Sequence, residues 1–150
     1  MRIHLGADHA GFELKEALRE ALATVGHDVV DEGTYGDRSV DYPDFAERVG
    51  REVAADPDDI GVLVCGTGLG MAIAANKVAG VRAVQASDPE MARMARLHND
   101  ANVLTLPGRY IGVEQAMDVV NAFLGTEFEG GRHQLRIDKI SALERGPSEK

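Results

Sequence analysis

Cys65-Gly-Thr-Gly-Leu-Gly70 is the stretch of this chain best suited to chemistry. A thiol stands at its head, glycines follow at alternate positions, and the alanine-rich segment Met71-Ala-Ile-Ala-Ala-Asn-Lys77 continues it. Ahead of it runs Ile60-Gly-Val-Leu-Val, apolar and β-branched, so the whole reads as strand, tight loop and helix. At such a junction glycines let backbone amides approach a ligand, and the helix adds unpaired N–H groups at the positive end of its dipole. The same field would favour the thiolate of Cys65. The pattern suits a base or nucleophile beside an anion, with Gly66, Thr67, Gly68, Leu69 and Gly70 as donors. A packing turn behind a buried cysteine has the same local sequence. Two nucleotide motifs fail here. Counted from Gly66, the third glycine of a dinucleotide fingerprint falls on Met71, and the Gly-Lys-Ser/Thr of a P-loop is absent. Asp88 sits where a ribose-binding acid would, but one residue does not restore the motif.

Three other groups carry chemistry-bearing side chains. Asp8-His9 reads either as a capping aspartate with an exposed histidine or as part of a site after the first strand. His98-Asn99-Asp100 reads either as an ordinary helix end or as a polar cluster beside a ligand. Arg132 and Arg136, four apart behind Gly130-Gly131, share a helix face and can grip a phosphate through several N–H donors; a solvated basic face is the other reading. The five histidines form no metal-ligand spacing, so neither metal nor cofactor is expected.

The elements that must hold these residues follow from hydrophobic periodicity. Strands are expected at Arg2 to Ala7, Asp28 to Asp31, Ile60 to Cys65, Val81 to Ser87 and Asn102 to Leu106. Helices are expected around Leu14, Leu18 and Leu22; Phe45, Val49 and Val53 behind Pro43; Met71 onward; Met94 and Leu97; Val113 to Leu124; and Arg132 to about Leu143. Strands alternating with helices predict a three-layer α/β, Rossmann-like fold, a five-stranded parallel sheet with helices on both faces. Such sheets bind ligands at the carboxyl ends of their strands, where strand order reverses, so first and third strands side by side would bring Asp8-His9 and the Cys65 loop to one crevice. With 150 residues, 44% of them hydrophobic, residues 1–146 suffice for a single domain, leaving 147–150 as a frayed tail. A net charge of −9 argues against nucleic acid and anionic membrane as partners. One cysteine permits no disulfide framework, and no apolar run is long enough to span a bilayer or resembles a leader, so the expected compartment is the cytoplasm.

Together, Gly-Ala-Asp8-His9-Ala-Gly, Asp41-Tyr42-Pro43, Cys65-Gly-Thr-Gly-Leu-Gly, Ala-Ala-Asn-Lys77, His98-Asn99-Asp100 and Gly-Gly-Arg132-His-Gln-Leu-Arg136 resemble the type B ribose-5-phosphate isomerases of the ribose/galactose isomerase family. The resemblance runs from Arg2 to about Arg145. Of the family's two branches, one with a cysteine base and one with a glutamate just after the loop, this chain resembles the first, since Met71 stands where the glutamate would be. It implies a metal-independent aldose-ketose isomerase of the pentose phosphate pathway, acting on ribose 5-phosphate through an enediolate. An isomerase of a six-carbon phosphate such as allose or galactose 6-phosphate is the alternative, and a non-catalytic sugar-phosphate sensor is less suited, having no use for both a thiol and an imidazole. The implied roles are Cys65 as base, the amides of Gly66 to Gly70 with Thr67 as oxyanion donors, and His98 for ring opening. Asp8 and Asn99 would hold sugar hydroxyls; His9, Arg109, Arg132 and Arg136 would bind the phosphate end, and Tyr42 would join the substrate contacts. The resemblance also implies a homodimer or tetramer with sites at subunit interfaces, where His98, Asn99 and Arg109 could come from the neighbour.

Overall fold

Five apolar runs become five parallel strands: β1 (Arg2–Ala7), β2 (Asp28–Asp31), β3 (Ile60–Cys65), β4 (Ala83–Gln85) and β5 (Val103–Pro107), in the order β2-β1-β3-β5-β4. The computed structural model describes residues 1–147; residues 148–150, most of the expected frayed tail, lie outside the described residues. The helices are α1 (Phe12–Thr24), α2 (Tyr42–Ala55), α3 (Leu69–Ala75), α4 (Pro89–Asn99), α5 (Val113–Leu124) and α6 (Arg132–Glu144). Alternation along the strands sorts side chains into two cores. Ile3, Leu5, Val62, Val64, Leu104 and Leu106 pack under α1, α4 and α5, while Leu63, Cys65 and Val103 pack under α2 and α3. The α2 helix rests directly on the sheet, because a methyl group at Gly61 would come within 2.7 Å of Val49 and 3.1 Å of Val53. Strand order reverses between β1 and β3, as expected, so the carboxyl ends of these two strands open a crevice.

The largest departures from expectation are in β4, in its bounds, and in α4, in its buried face. β4 is three residues rather than seven, since Arg82 N–H is taken by the Asn102 side chain and Asn76 clamps Ala83 through both its N–H and its C=O. In α4 the fully buried positions are Ala92 and Ala95, with Met94 and Leu97 only partly covered. Small residues there let α4 approach α5 closely.

Beneath α2, His4 is 3% exposed and bridges two acids, Nδ1 to Glu32 Oε1 at 3.0 Å and Nε2 to Asp59 Oδ2 at 2.9 Å. Burial opposes its charged form, but the hydrogen bonds to Asp59 and Glu32 outweigh that, and its pKa is raised above 6.5. Burial likewise opposes ionisation of Asp59, yet the His4 bond and the Arg2 amide prevail and its pKa is lowered. The folded chain therefore holds the His4 proton more tightly than the unfolded chain does. That stabilisation is fully present below about 6.5 and fades as pH rises through the raised folded value. Thermal melts at stepwise higher pH from 6 upward should show a falling midpoint, and His4→Asn should flatten that slope while lowering stability at pH 6. An unchanged slope in the variant would show that another group titrates.

Candidate active site

The carboxyl edge of the sheet gathers the first half of the expected site. Gly68 adopts φ 75°, a left-handed conformation that glycine enters without penalty, and it turns the chain from β3 into α3. The helix thus begins at Leu69, two residues before Met71. Being only seven residues long, it contributes little dipole. Gly68 N–H donates to Cys65 Sγ at 3.2 Å, an arrangement that stabilises negative charge on sulfur. Cys65 is 4% exposed, at the floor of the loop. Thr67 is exposed above it, with Oγ1 accepting from Leu69 N–H at 3.2 Å. Asp8 follows β1; its Oδ1 accepts from the amides of Ala10 and Gly11, and its own N–H donates to Val64 C=O beside the cysteine. His9 Nδ1 accepts from Val40 N–H at 3.2 Å, which leaves the ring proton on Nε2 in the neutral form. Tyr42 covers Gly70, where a methyl group would lie 2.5 Å from its ring. Arg109 packs over Gly66 of its own chain, with Nη1 3.1 Å from where a Cβ would stand, and its N–H donates to Gly66 C=O.

The second half lies at the opposite edge. In a parallel sheet each helix returns antiparallel to the strands, so the end of α4 reaches the amino ends. His98 and Asn99 occupy that end, just before Ala101 and Asn102 lead into β5. Cys65 pairs with Pro107, the last residue of β5, about 13 Å along the strand from Val103. Arg132 and Arg136 belong to the same half: Glu129 N–H donates to Leu97 C=O and His133 stacks on His98, so α6 starts beside the end of α4. Both arginines are exposed. The helix then crosses beneath β4 to Gly80, whose N–H donates to Glu144. A cavity of about 600 Å³ lies there, lined by Asn76, Lys77, Arg82, Asn99, Ile140 and Leu143. Within one chain, then, Asp8, His9, Tyr42, Cys65 to Gly70 and Arg109 come together, whereas His98, Asn99, Arg132 and Arg136 form a separate cluster.

Polar residues outside the expected set support both halves. Thr105, fully buried on β5, donates to Gly68 C=O at 2.6 Å and fixes the peptide that follows Gly68. Gln85 Nε2 donates to Thr67 C=O at 3.1 Å. A lone threonine inside Val103-Leu-Thr-Leu-Pro107 was the available signal for the first. In the second half, burial and then the neighbouring charges of His98 and Arg132 hold the pKa of His133 below its ordinary value.

An α/β crevice with a thiol beneath an amide loop, and a detached basic cluster carrying an imidazole, defines a protein built to do acid–base chemistry on a small anion. The Ribose/Galactose Isomerase family profile matches residues 3–140. The chain is 47% identical over 143 residues to ribose-5-phosphate isomerase B of Escherichia coli, covering 95% of this chain and 96% of that protein. It superposes on a ribose 5-phosphate isomerase of Thermotoga maritima with TM-score 0.92 and 52% identity, covering 94% and 97% of the two chains. The Mycoplasma genitalium ribose 5-phosphate isomerase B, solved with bound ribulose-5-phosphate, gives TM-score 0.93 at 44% identity and 97% coverage of each chain. The chain belongs to the ribose/galactose isomerase family. Among the described residues no helix is long and apolar enough to cross a membrane.

Proposed function

We propose that this protein is a cytoplasmic isomerase that interconverts ribose 5-phosphate and ribulose 5-phosphate through an enediolate, with Cys65 as the base. The observation that carries the reading is the Gly68 N–H to Cys65 Sγ contact, which places the cysteine sulfur at the floor of the glycine loop with an amide donor on it. Cys65 takes the C2 proton of the open-chain aldose and returns it at C1, while the hydroxyl proton on O2 passes to O1, so that the carbonyl moves from C1 to C2. The amides of Gly66 to Gly70, with Thr67, stabilise the oxyanion that forms between these two transfers. Asp8 keeps one carboxylate oxygen for a sugar hydroxyl after its other oxygen has satisfied the loop, and His9 Nε2–H and Arg109 face the same crevice as donors.

Ring opening and phosphate binding by His98, Asn99, Arg132 and Arg136 require a second copy of the chain, because these residues sit at the other edge of the sheet. Exposed apolar residues beside both halves support a homodimer: Leu69 is 56% and Ile73 66% exposed on α3, and Leu135 64% and Leu143 79% on α6. Burying such side chains contributes about 1.5–3 kcal/mol each. The deciding assay is turnover of purified protein on pentose and hexose 5- or 6-phosphates with EDTA present. Ribose 5-phosphate should be the preferred substrate, and EDTA should leave the rate unchanged. Preference for a six-carbon phosphate would redirect the substrate assignment, and a loss restored by added divalent ion would overturn the metal-free mechanism.

A further inference from the structure

Glu129 and His133 stand one helical turn apart at the entry to α6, and His98 joins them from the end of α4. Both histidine Nε2 atoms approach one carboxylate oxygen, Glu129 Oε2, at 3.8 Å from His98 and 3.9 Å from His133. The imidazoles are stacked, with centroids 4.3 Å apart and planes 16° from parallel. All three donor atoms lie within 4.8 Å of one another. Separations of 3.8 and 3.9 Å are too long for hydrogen bonds. Among the described residues His133 Nε2 is buried without any hydrogen-bond partner, in a side chain 8% exposed. Leaving such an atom unsatisfied is costly, so its aim at Glu129 and His98 calls for a ligand.

A zinc-class ion supplies one. Bonds of about 2.0–2.2 Å in a tetrahedral site place donor atoms about 3.4 Å apart, so the two histidine–glutamate separations need to close by about half an ångström and the partly exposed His98 ring must turn out of its stack to aim at the same ion. The grouping of His4, Glu32 and Glu52 differs in this respect, because both ring nitrogens of His4 are already hydrogen-bonded. We infer that His98, Glu129 and His133 form a binding site for a divalent transition-metal ion of the zinc class, with its fourth position open. Resting on the reading of His98 as the ring-opening group, the bound ion withholds that imidazole from substrate and acts as an inhibitor. Sequence spacing alone hides the set: Glu129-x-x-x-His133 is visible, but His98 arrives from 31 residues earlier in the chain. Arg132 and Arg136 oppose a cation nearby, and Glu129 carries the one compensating charge, which makes Glu129 the most sensitive ligand.

Cobalt(II) tests the site without relying on activity. Metal-free full-length protein is titrated with Co²⁺ while its visible d–d absorption is followed, and Zn²⁺ is then added to displace it. One equivalent per chain should bind with a four-coordinate spectrum. Glu129→Gln and His133→Asn should each weaken binding by about 10–100-fold or more, and His27→Asn, outside the cluster, should not. Absence of that spectrum, or equal affinity in the ligand variants, overturns the site. In the isomerase assay Zn²⁺ should slow conversion of ribose 5-phosphate reversibly with EDTA, and Glu129→Gln should raise the inhibitory concentration in step with its binding loss. Stoichiometric binding with full turnover overturns the inhibitory role. Binding by a chain that isomerises nothing supports the site and counts against the proposed function instead.

Discussion

Cys65→Ala is expected to lower isomerisation of ribose 5-phosphate by at least the 10²–10⁴-fold typical of a lost general base, with the fold intact. The side chain removed is small and buried, and among the described residues its one hydrogen bond is from the Gly68 amide. Losing that acceptor costs about 1 kcal/mol, too little to unfold a domain whose stability is about 5–15 kcal/mol. Cys65→Ser serves as the second variant, because a hydroxyl still accepts from Gly68 N–H but remains protonated at neutral pH. Both variants should melt close to wild type by circular dichroism and still bind ribulose 5-phosphate. Both should fail to exchange its C1 proton with solvent deuterium, followed by NMR. Wild-type turnover in either variant would make Cys65 a packing residue and remove the mechanism built on it.

The loop around this cysteine was legible in the sequence because everything that shapes it is local. Apolar Ile60 to Val64, the glycines at 66, 68 and 70 and the alanines beyond them encode strand, left-handed turn and helix within 16 residues. Alternation of elements implied a parallel sheet but not its strand order; the pairing of β1 with β3 meets the condition under which Asp8 and Cys65 share one edge. What the sequence reading did not separate was the edge to which each polar group belongs. His98-Asn99-Asp100 looked equivalent to Asp8-His9, as a polar cluster at a boundary. It follows a helix rather than a strand, however, and in a parallel sheet that difference moves it to the opposite edge. Thr105 and Gln85 lie outside the expected set for another reason: their partners, Gly68 and Thr67, are 37 and 18 residues away, so a polar residue in an apolar strand marks Thr105 but nothing nearby names either partner. β4 was overextended because Val81 and Arg82 have the composition of strand but spend their backbone groups on side chains and turns.

The separation of the two clusters leads to the last expected result. If Cys65 of one protomer works with His98 of the other, a symmetric dimer has two composite sites, each drawing one residue from each chain. In a heterodimer of a Cys65→Ala chain and a His98→Ala chain, one site receives both substitutions and the other receives neither. Two variants that are each inactive alone should therefore form a dimer with about half the wild-type turnover per dimer. Co-expression with two different affinity tags and sequential purification isolates that species. The complementary dimer, one wild-type chain with one chain carrying both substitutions, gives each site one defect and should show only the residual rate of the single variants. A site contained within one chain predicts the reverse, no recovery in the first dimer and half activity in the second. The distance along β5 favours the shared site, since loop motion would have to carry Cys65 or His98 across about 13 Å of sheet to unite them in one chain. Half activity in the wild-type and double-variant dimer would refute the shared site and require that rearrangement instead.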